Sequence, residues 1–319
     1  WSHQQELTIS SMPTGQYFGS GVDISTDGNY IIIGAYSDTS IASLGSGAGA
    51  AHIFIRSNTT WSHQASLPRT GDGAKGRNFG VSVGISSDGT YAIVGAPLGA
   101  YPVDSNHPNT GYAHMYIRSN TTWTHQALMV DPNGNLQDNF GTGVDISGDG
   151  NYAVMGANND TSATGAGFVF VRNGTSWTLQ QQLTITSAQA GDHAFEQLQI
   201  SHDGEVIVAS VRGRKVYITS GAVYGSFVIF TRVGTTWTQI QEITGWGIVN
   251  PAAIDNFGYC VGISSDGTMI VAGAYSRDTG GTDRGAMFTV PGVFSPIVID
   301  SATQVFTATG TGIVSGSTV

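Results

Sequence analysis

Acidic residues recur along this chain at fixed offsets, and they are the first candidates for chemistry. One set sits in a turn signature: Asp27-Gly28, Asp88-Gly89, Asp149-Gly150, Asp203-Gly204 and Asp266-Gly267, with Asp23 and Asp145 upstream of two of these turns. A second set, Asp38, Asp104, Asp160 and Asp278 with Asp283 nearby, lies in loops that vary in length and sequence, beside Tyr36, Tyr101, Asn159 and Tyr275. Loops on a rigid scaffold usually carry binding specificity, and Tyr, Asn and Asp together suit protein or glycan contacts. Two carboxylates from separate parts of the chain could also meet as the acid and base of a glycoside hydrolase, a pairing that sequence does not display. Histidines recur at His3, His63 and His125, and again at His52 and His114. Members of one series belong to different copies of a repeat, too far apart to share an ion, so they read as strand residues. There is no G-x-S-x-G, no H-E-x-x-H and no Gly-rich phosphate loop with Lys, so the converging groups of an enzyme are not in view.

Composition narrows the setting. The 319 residues include 12 Lys and Arg against 22 Asp and Glu, a net charge of -10, which leaves no basic stripe for nucleic acid or anionic lipid. Only 11% of residues are charged while Gly reaches 45 copies, a profile of turns and uncharged surface that disfavours helices. Cys260 is the single cysteine, so neither an internal disulfide nor a thiolate metal site forms, and the redox compartment stays open. Sequons at Asn58, Asn120, Asn159 and Asn173 favour a secreted or surface glycoprotein. No apolar run approaches the roughly 18 residues of a membrane span.

The elements that position these residues are copies of one unit. Phe-led segments recur at Phe18, Phe79, Phe140, Phe195 and Phe257, each leading through Val-x-Ile-Ser or a variant of it to an Asp-Gly turn. Gly accepts positive φ there and Asp bonds its own backbone, so a hairpin is expected. The second strand, YIIIGA in the first copy and YAVMGA in the third, is a β-branched run suited to burial on both faces. A third strand such as GAGFVFVRN, a tight turn such as Ser57-Asn58-Thr59-Thr60, and a Trp-led fourth strand such as WTLQQQL complete the copy. Cys260 stands where other copies have Gly21, Ser82 or Gly143, a small packing position. Four antiparallel strands repeated every sixty residues or so predict an all-β fold, a five-bladed β-propeller.

The fifth copy stops after its third strand, near Val290, while Trp1 to Leu7 form an orphan fourth strand. The two defects are expected to cancel, the opening heptapeptide completing the last blade beside Phe288 and closing the ring. A fragment of a larger ring is the rival. The propeller then spans residues 1–293, and 294–319 form an extended tail or the start of another module, available to neighbouring copies.

The run Phe-Gly, Val-x-Ile-Ser, Asp-Gly, Ile-Val-Gly-Ala, Gly-Ala-x-x-Phe-x-Arg and Thr-Trp resembles the FG-GAP family of integrin α-chain propellers, in its Trp-containing microbial variant. Only Gly95-Ala96-Pro97 matches the full second signature. The resemblance implies adhesion, ligand binding or scaffolding at a cell surface. Relatives commonly carry seven blades and a calcium loop of the form D-x-D-x-D-G-x-x-D. Here Asp23 and Asp27, and Asp145 and Asp149, match its first and fifth positions, with Ser25 and Ser147 at the third and Ile31 and Ala153 at the ninth. Calcium on these carboxylates, or turn building alone, are the two readings, and no other cofactor is expected. The expected protein is a non-enzymatic extracellular module for adhesion, binding or assembly in a filament, appendage or coat. Its partners would be proteins or glycans at a cell or particle surface, or other copies of itself, without nucleic acid or membrane insertion. A carbohydrate-active hydrolase or a lectin-like binder is the alternative.

Overall fold

A computed structural model describes residues 2–10, 12–39, 49–67, 78–99, 109–135, 137–218, 221–244, 256–274 and 286–291. Blade 1 comprises β1 (Phe18–Ile24), β2 (Tyr30–Ala35), β3 (Ala50–Ser57) and β4 (Thr60–Leu67). Blade 2 comprises β5 (Val83–Ile85), β6 (Tyr91–Ala96), β7 (Tyr112–Ser119) and β8 (Thr122–Met129). Blade 3 holds β9 (Phe140–Ile146), β10 (Tyr152–Ala157), a short helical turn α1 (Asp160–Ala163), β11 (Ala166–Asn173) and β12 (Ser176–Leu183). Blade 4 holds β13 (Ala194–Ile200), β14 (Val206–Ile218), β15 (Gly221–Val233) and β16 (Thr236–Thr244), and blade 5 holds β17 (Phe257–Ile263), β18 (Met269–Ala274) and β19 (Ala286–Pro291). Among the described residues the sheets keep chain order with antiparallel neighbours, four sheets of four strands and a fifth of three. This is the expected five-bladed β-propeller.

Local chemistry explains each hairpin. In blade 3 the Ser147 hydroxyl donates to Asp149 Oδ1 at 2.7 Å and accepts from the Tyr152 amide at 3.0 Å, while Gly150 takes φ 67°. The same serine-to-aspartate bond recurs from Ser25, Ser86, Ser201 and Ser264. The second strands of blades 1 to 3 are buried on both faces, as their unbroken apolar runs require, whereas β18 of blade 5 alternates buried and exposed residues.

The rest of the repeat holds blades to one another. Arg118, Arg172 and Arg232 lie over Tyr30, Tyr91 and Tyr152 of the preceding blade, 4.2, 4.6 and 4.5 Å from the ring centres. Each arginine Nε also donates at 2.7 Å to a turn carbonyl of its own blade, Gly89, Gly150 or Gly204, which fixes the guanidinium plane. The Trp123, Trp177 and Trp237 indoles donate to Gln64, Gln126 and Gln180 of the blade before. Glycine closes the second strand because the next blade touches it there. A Cβ on Gly34, Gly95 or Gly156 would strike the carbonyl oxygen of Gly80, Gly141 or Phe195.

Pairing of the opening heptapeptide with the last blade is the one part of the expected propeller that the described residues do not show. Residues 2–9 form no strand pairing, and the fifth sheet has three strands among the described residues; Trp1 lies outside them. What holds the opening segment is blade 1, where Gln5 accepts from the Trp61 amide at 2.8 Å and donates to its carbonyl at 2.9 Å. The faces that closure would press together stay in solvent, with Val22 66% and Met287 72% exposed. Backbone contact at Gly34, Gly95 and Gly156 sets how closely neighbouring blades approach. The 294–319 tail lies outside the described residues.

Candidate functional site

The inner strands enclose a cavity of about 230 Å³ lined by Ser20, Asp23, Ser82, Asp145, Gln197 and Gln199, among others. Asp23 and Asp145 occupy the same position in blades 1 and 3. Each carboxylate bridges two amides, one on its own strand and one on the next blade that the path reaches. Asp23 accepts from Ile24 and Ile85, both at 2.8 Å, and Asp145 from Ile146 at 2.8 Å and Ile200 at 2.9 Å. Gln199 does the same job for blade 5, accepting from Ile263 at 3.0 Å. Blade 2 carries Gly84 at this position, where an added Cβ would come within 3.2 Å of Asp145 Oδ1.

Burial dominates the electrostatics. Asp145 is pushed up to about 8 by desolvation, then by the Asp23 charge, against the lowering pull of its two amide bonds. Asp23 is raised to about 6 for the first of these reasons. The pair holds a proton near neutral pH, with one acid and one carboxylate facing a polar cavity. At the turn end, His202 of blade 4 reaches Thr26 of blade 1 at 2.9 Å and Ser87 of blade 2 at 3.1 Å, so an imidazole spans the axis there.

The turn carboxylates have other work. Asp27 spends its oxygens on Ser25 and Asn29, and Asp149 on Ser147 and Asn151, while Asp23 and Asp145 point to the neighbouring blades. Against the upward push of partial burial, the Ser25 hydroxyl and Asn29 groups hold Asp27 below the usual carboxylate range. Among the described residues no cluster of three or more His, Cys, Asp and Glu side chains is arranged to hold a metal ion. On the loop rim, Asp38 is buried against His52 Nε2 at 2.9 Å, and Asp160 is buried with Thr161 and Gln182. Tyr36 stacks on Tyr17 at 4.5 Å, and Asn159 is half-buried at the start of α1. Tyr101, Asp104, Tyr275, Asp278 and Asp283 lie outside the described residues. The sequon residues Asn58 and Asn120 are exposed in hairpin turns, and Asn173 is exposed at the end of β11. Histidines of the two series meet inside a blade: His114 Nδ1 lies 2.9 Å from His125 Nε2, and His52 packs on His63. Two arginines in β14 of blade 4 find acidic neighbours, Arg214 with Asp192 and Glu242, and Arg212 with Glu196.

The family model described as FG-GAP repeat matches residues 1–54, 61–116, 123–171 and 237–290, more than half of the chain. The chain belongs to the FG-GAP repeat family. No curated protein matches the sequence. Among solved structures, this FG-GAP propeller is similar to a putative 6-phosphogluconolactonase from Bacteroides uniformis, with TM-score 0.54, 12% identity, and coverage of 92% of this chain and 71% of that one. It is also similar to hydrazine synthase of Kuenenia stuttgartiensis, with TM-score 0.52, 13% identity, and coverage of 89% and 66%. A third is the periplasmic gluconolactonase of Pseudomonas aeruginosa, with TM-score 0.50, 14% identity, and coverage of 80% and 64%. The chain thus spans 64 to 71% of the length of these structures, and the likeness is one of fold.

Two features of the FG-GAP propeller are invisible to a repeat-by-repeat reading. His202 looks like one more turn residue until blade 4 is set across the axis from blade 1. The cavity-lining role of Gln197 and Gln199 had one available signal: Gln199 occupies the register of Asp23 and Asp145, so it faces the same neighbour.

Proposed function

We propose that the chain is a non-enzymatic extracellular propeller that serves as a structural assembly module, joined to a larger body through its two end faces. The observation that carries this is the apolar surface left at the ends of the arc. Val22 and Ile24 on blade 1 are 66% and 52% exposed, although the residues at the same positions in blades 2 to 4 are all 9% exposed or less. Apolar sheet faces of this kind mark interaction sites. Among the described residues, the hairpin carboxylates and the rim residues Asp38 and Asp160 are meanwhile engaged in holding the fold. The FG-GAP repeat, the exposed sequon asparagines and the low charge support a position outside the cytosol. Hydroxyl-radical footprinting tests the assembly role, because exposed methionine oxidises readily. Met269 and Met287 should oxidise in the dilute purified chain and be protected on the native surface or particle. Equal oxidation in both settings would sink the reading.

A second reading rests on the channel pair. An acid and a carboxylate facing one polar cavity are the groups a glycoside hydrolase needs. It requires turnover of a glycoside that is lost in Asp145→Asn, and the absence of turnover across a substrate panel removes it.

A further inference from the structure

We infer that the partner at these end faces is a second copy of this chain, the forward face of blade 5 in one copy seating against the rear face of blade 1 in the next; this rests on the assembly reading above. Four sets of observations point to that occupant. The first is the place of residues 2–9. Gln181, on the fourth strand of blade 3, clasps the Trp237 amide and carbonyl of blade 4, both at 2.8 Å. Gln5 makes the same two bonds to Trp61. The opening segment therefore stands where a fourth strand stands ahead of blade 1, and among the described residues no inner strands accompany it. Among the described residues blade 5 has the complementary composition, three inner strands and no fourth strand beside β19. An unpaired strand edge is a template for pairing with another chain.

The second is shape. Gly273 stands in β18 where Gly34, Gly95 and Gly156 stand in the second strands of blades 1 to 3, yet among the described residues no neighbouring blade lies against it, and a Cβ there would meet only Cys260. Gly19, at φ 94°, matches Gly80 and Gly141, whose carbonyls fill those glycine sites, and nothing lies within 4 Å of a Cβ placed on Gly19. Both ends keep the close-approach glycines of a blade junction, and neither uses them. The third is polar matching. Where blade 2 offers Gly84 to blade 3, the Ile146 amide is satisfied by Asp145 of its own strand. Blade 5 offers Gly262, and in blade 1 the Ile24 amide is satisfied by Asp23 of its own strand at 2.8 Å. A junction of blade 5 with blade 1 therefore leaves no buried amide unpaired, as at the junction of blades 2 and 3.

The fourth is that one copy does not make this contact with itself, since Val22, Ile24, Val271 and Met287 are all exposed. On blade 5 the open surface is an apolar hollow of about 530 Å³ lined by Val261, Gly262, Val271, Ala286 and Met287, among others. At the inner junctions the equivalents of Val271, namely Ile32, Ile93, Val154 and Val208, are no more than 1% exposed. A head-to-tail contact between copies builds a ring where the rotation closes and a helical filament where it does not.

The test uses the full chain with Cys260→Ser, so that only introduced thiols react. Val22→Cys and Met287→Cys are made separately; both positions are exposed, so folding tolerates them. Mixing the two proteins with a short bismaleimide should give a covalent dimer containing one of each, absent when either is treated alone. The doubly substituted chain should give a ladder of higher oligomers. Met287→Asp should raise the concentration at which the chain gains mass in sedimentation by about tenfold or more, because a carboxylate would be buried unpaired at the junction. An internally crosslinked monomer from the double variant overturns the proposal, because the ring then closes within one copy. Absence of any crosslink overturns it too. Methionine protection in the native setting without crosslinking between copies would mean that assembly stands and the partner is a different molecule.

Discussion

Val144 and Val22 occupy the same position on the inner strands of blades 3 and 1, and their environments differ almost completely: Val144 is 6% exposed and Val22 66%. The same contrast runs through Ile93 and Val271, and Ala113 and Met287, the first of each pair buried and the second 37% and 72% exposed, while Phe18 is partly exposed where Phe140 is buried. The repeat encodes a blade with two sticky faces. It does not contain its own cover. A blade in the middle of the arc acquires that cover from two neighbours, whereas blades 1 and 5 each have one. Stability in the interior and binding capacity at the ends thus arise from one pattern of residues.

The largest expected difference lies at the close-approach glycines. Gly156→Val drives a side chain into the Phe195 carbonyl, a backbone atom with nowhere to go, and should cost about 4 kcal/mol or prevent folding. Gly273→Val meets the movable Cys260 side chain and should cost about 1 kcal/mol in the dilute chain. Urea denaturation midpoints for the two variants measure the gap, and similar losses would erase the distinction between interior and end.

Next in size is the arginine clamp. Arg172 bonds the Gly150 and Gly174 carbonyls and Asn151 while covering Tyr91 of the preceding blade. Arg172→Ala should lose about 2 to 3 kcal/mol. Arg56 has no preceding tyrosine and lies 5.9 Å from the centre of its own blade's Trp61. Arg56→Ala should lose less than about 1 kcal/mol in the same assay.

A third contrast is between the channel carboxyls. Asp145, raised to about 8, and Asp23, raised to about 6, bind more protons folded than unfolded. Their stabilising effect is complete below the unfolded value of about 4 and is lost as pH rises through the folded values. The melting temperature should fall from about pH 5 to about pH 8.5, and Asp145→Asn should flatten that fall. The variant starts lower at pH 5, because an amide presents one acceptor oxygen to the two backbone amides of Ile146 and Ile200. Parallel slopes would mean that the proton resides elsewhere.

These contrasts also show what the residues alone disclose. The period, the Asp-Gly turns and the β-branched second strands announce the blade because each is a local requirement met within one copy. The roles of Phe-x-Arg and Thr-Trp as glue between blades emerge only when one blade is laid on the next, since Arg118 meets Tyr30 of another copy. Asp23 and Asp145 stand at the calcium positions of the turn in sequence, yet a strand alternates its side chains, and residues two before the turn serine point across to the next blade. The exposure of the end faces was least legible, because counting copies does not show whether Val22 and Met287 acquire a neighbour.

The smallest effect belongs to a turn that neither face shares. Asn58 is exposed at φ 55°, and the equivalent turn positions in blades 3 and 4 hold Gly174 and Gly234, both at φ 61°. Asn58→Gly therefore relieves a mildly unfavourable backbone in the folded chain while loosening the unfolded one, two effects that oppose each other. The net change should stay within about 0.5 kcal/mol. On a eukaryotic secretory route the same substitution should remove one glycan's mass from the protein, measurable by mass spectrometry of the intact chain, provided Asn58 is modified. A loss well beyond this range would show that the outer turns take part in holding the blades together. The division between buried junctions and free ends would then have to be redrawn at the outer edge of every blade.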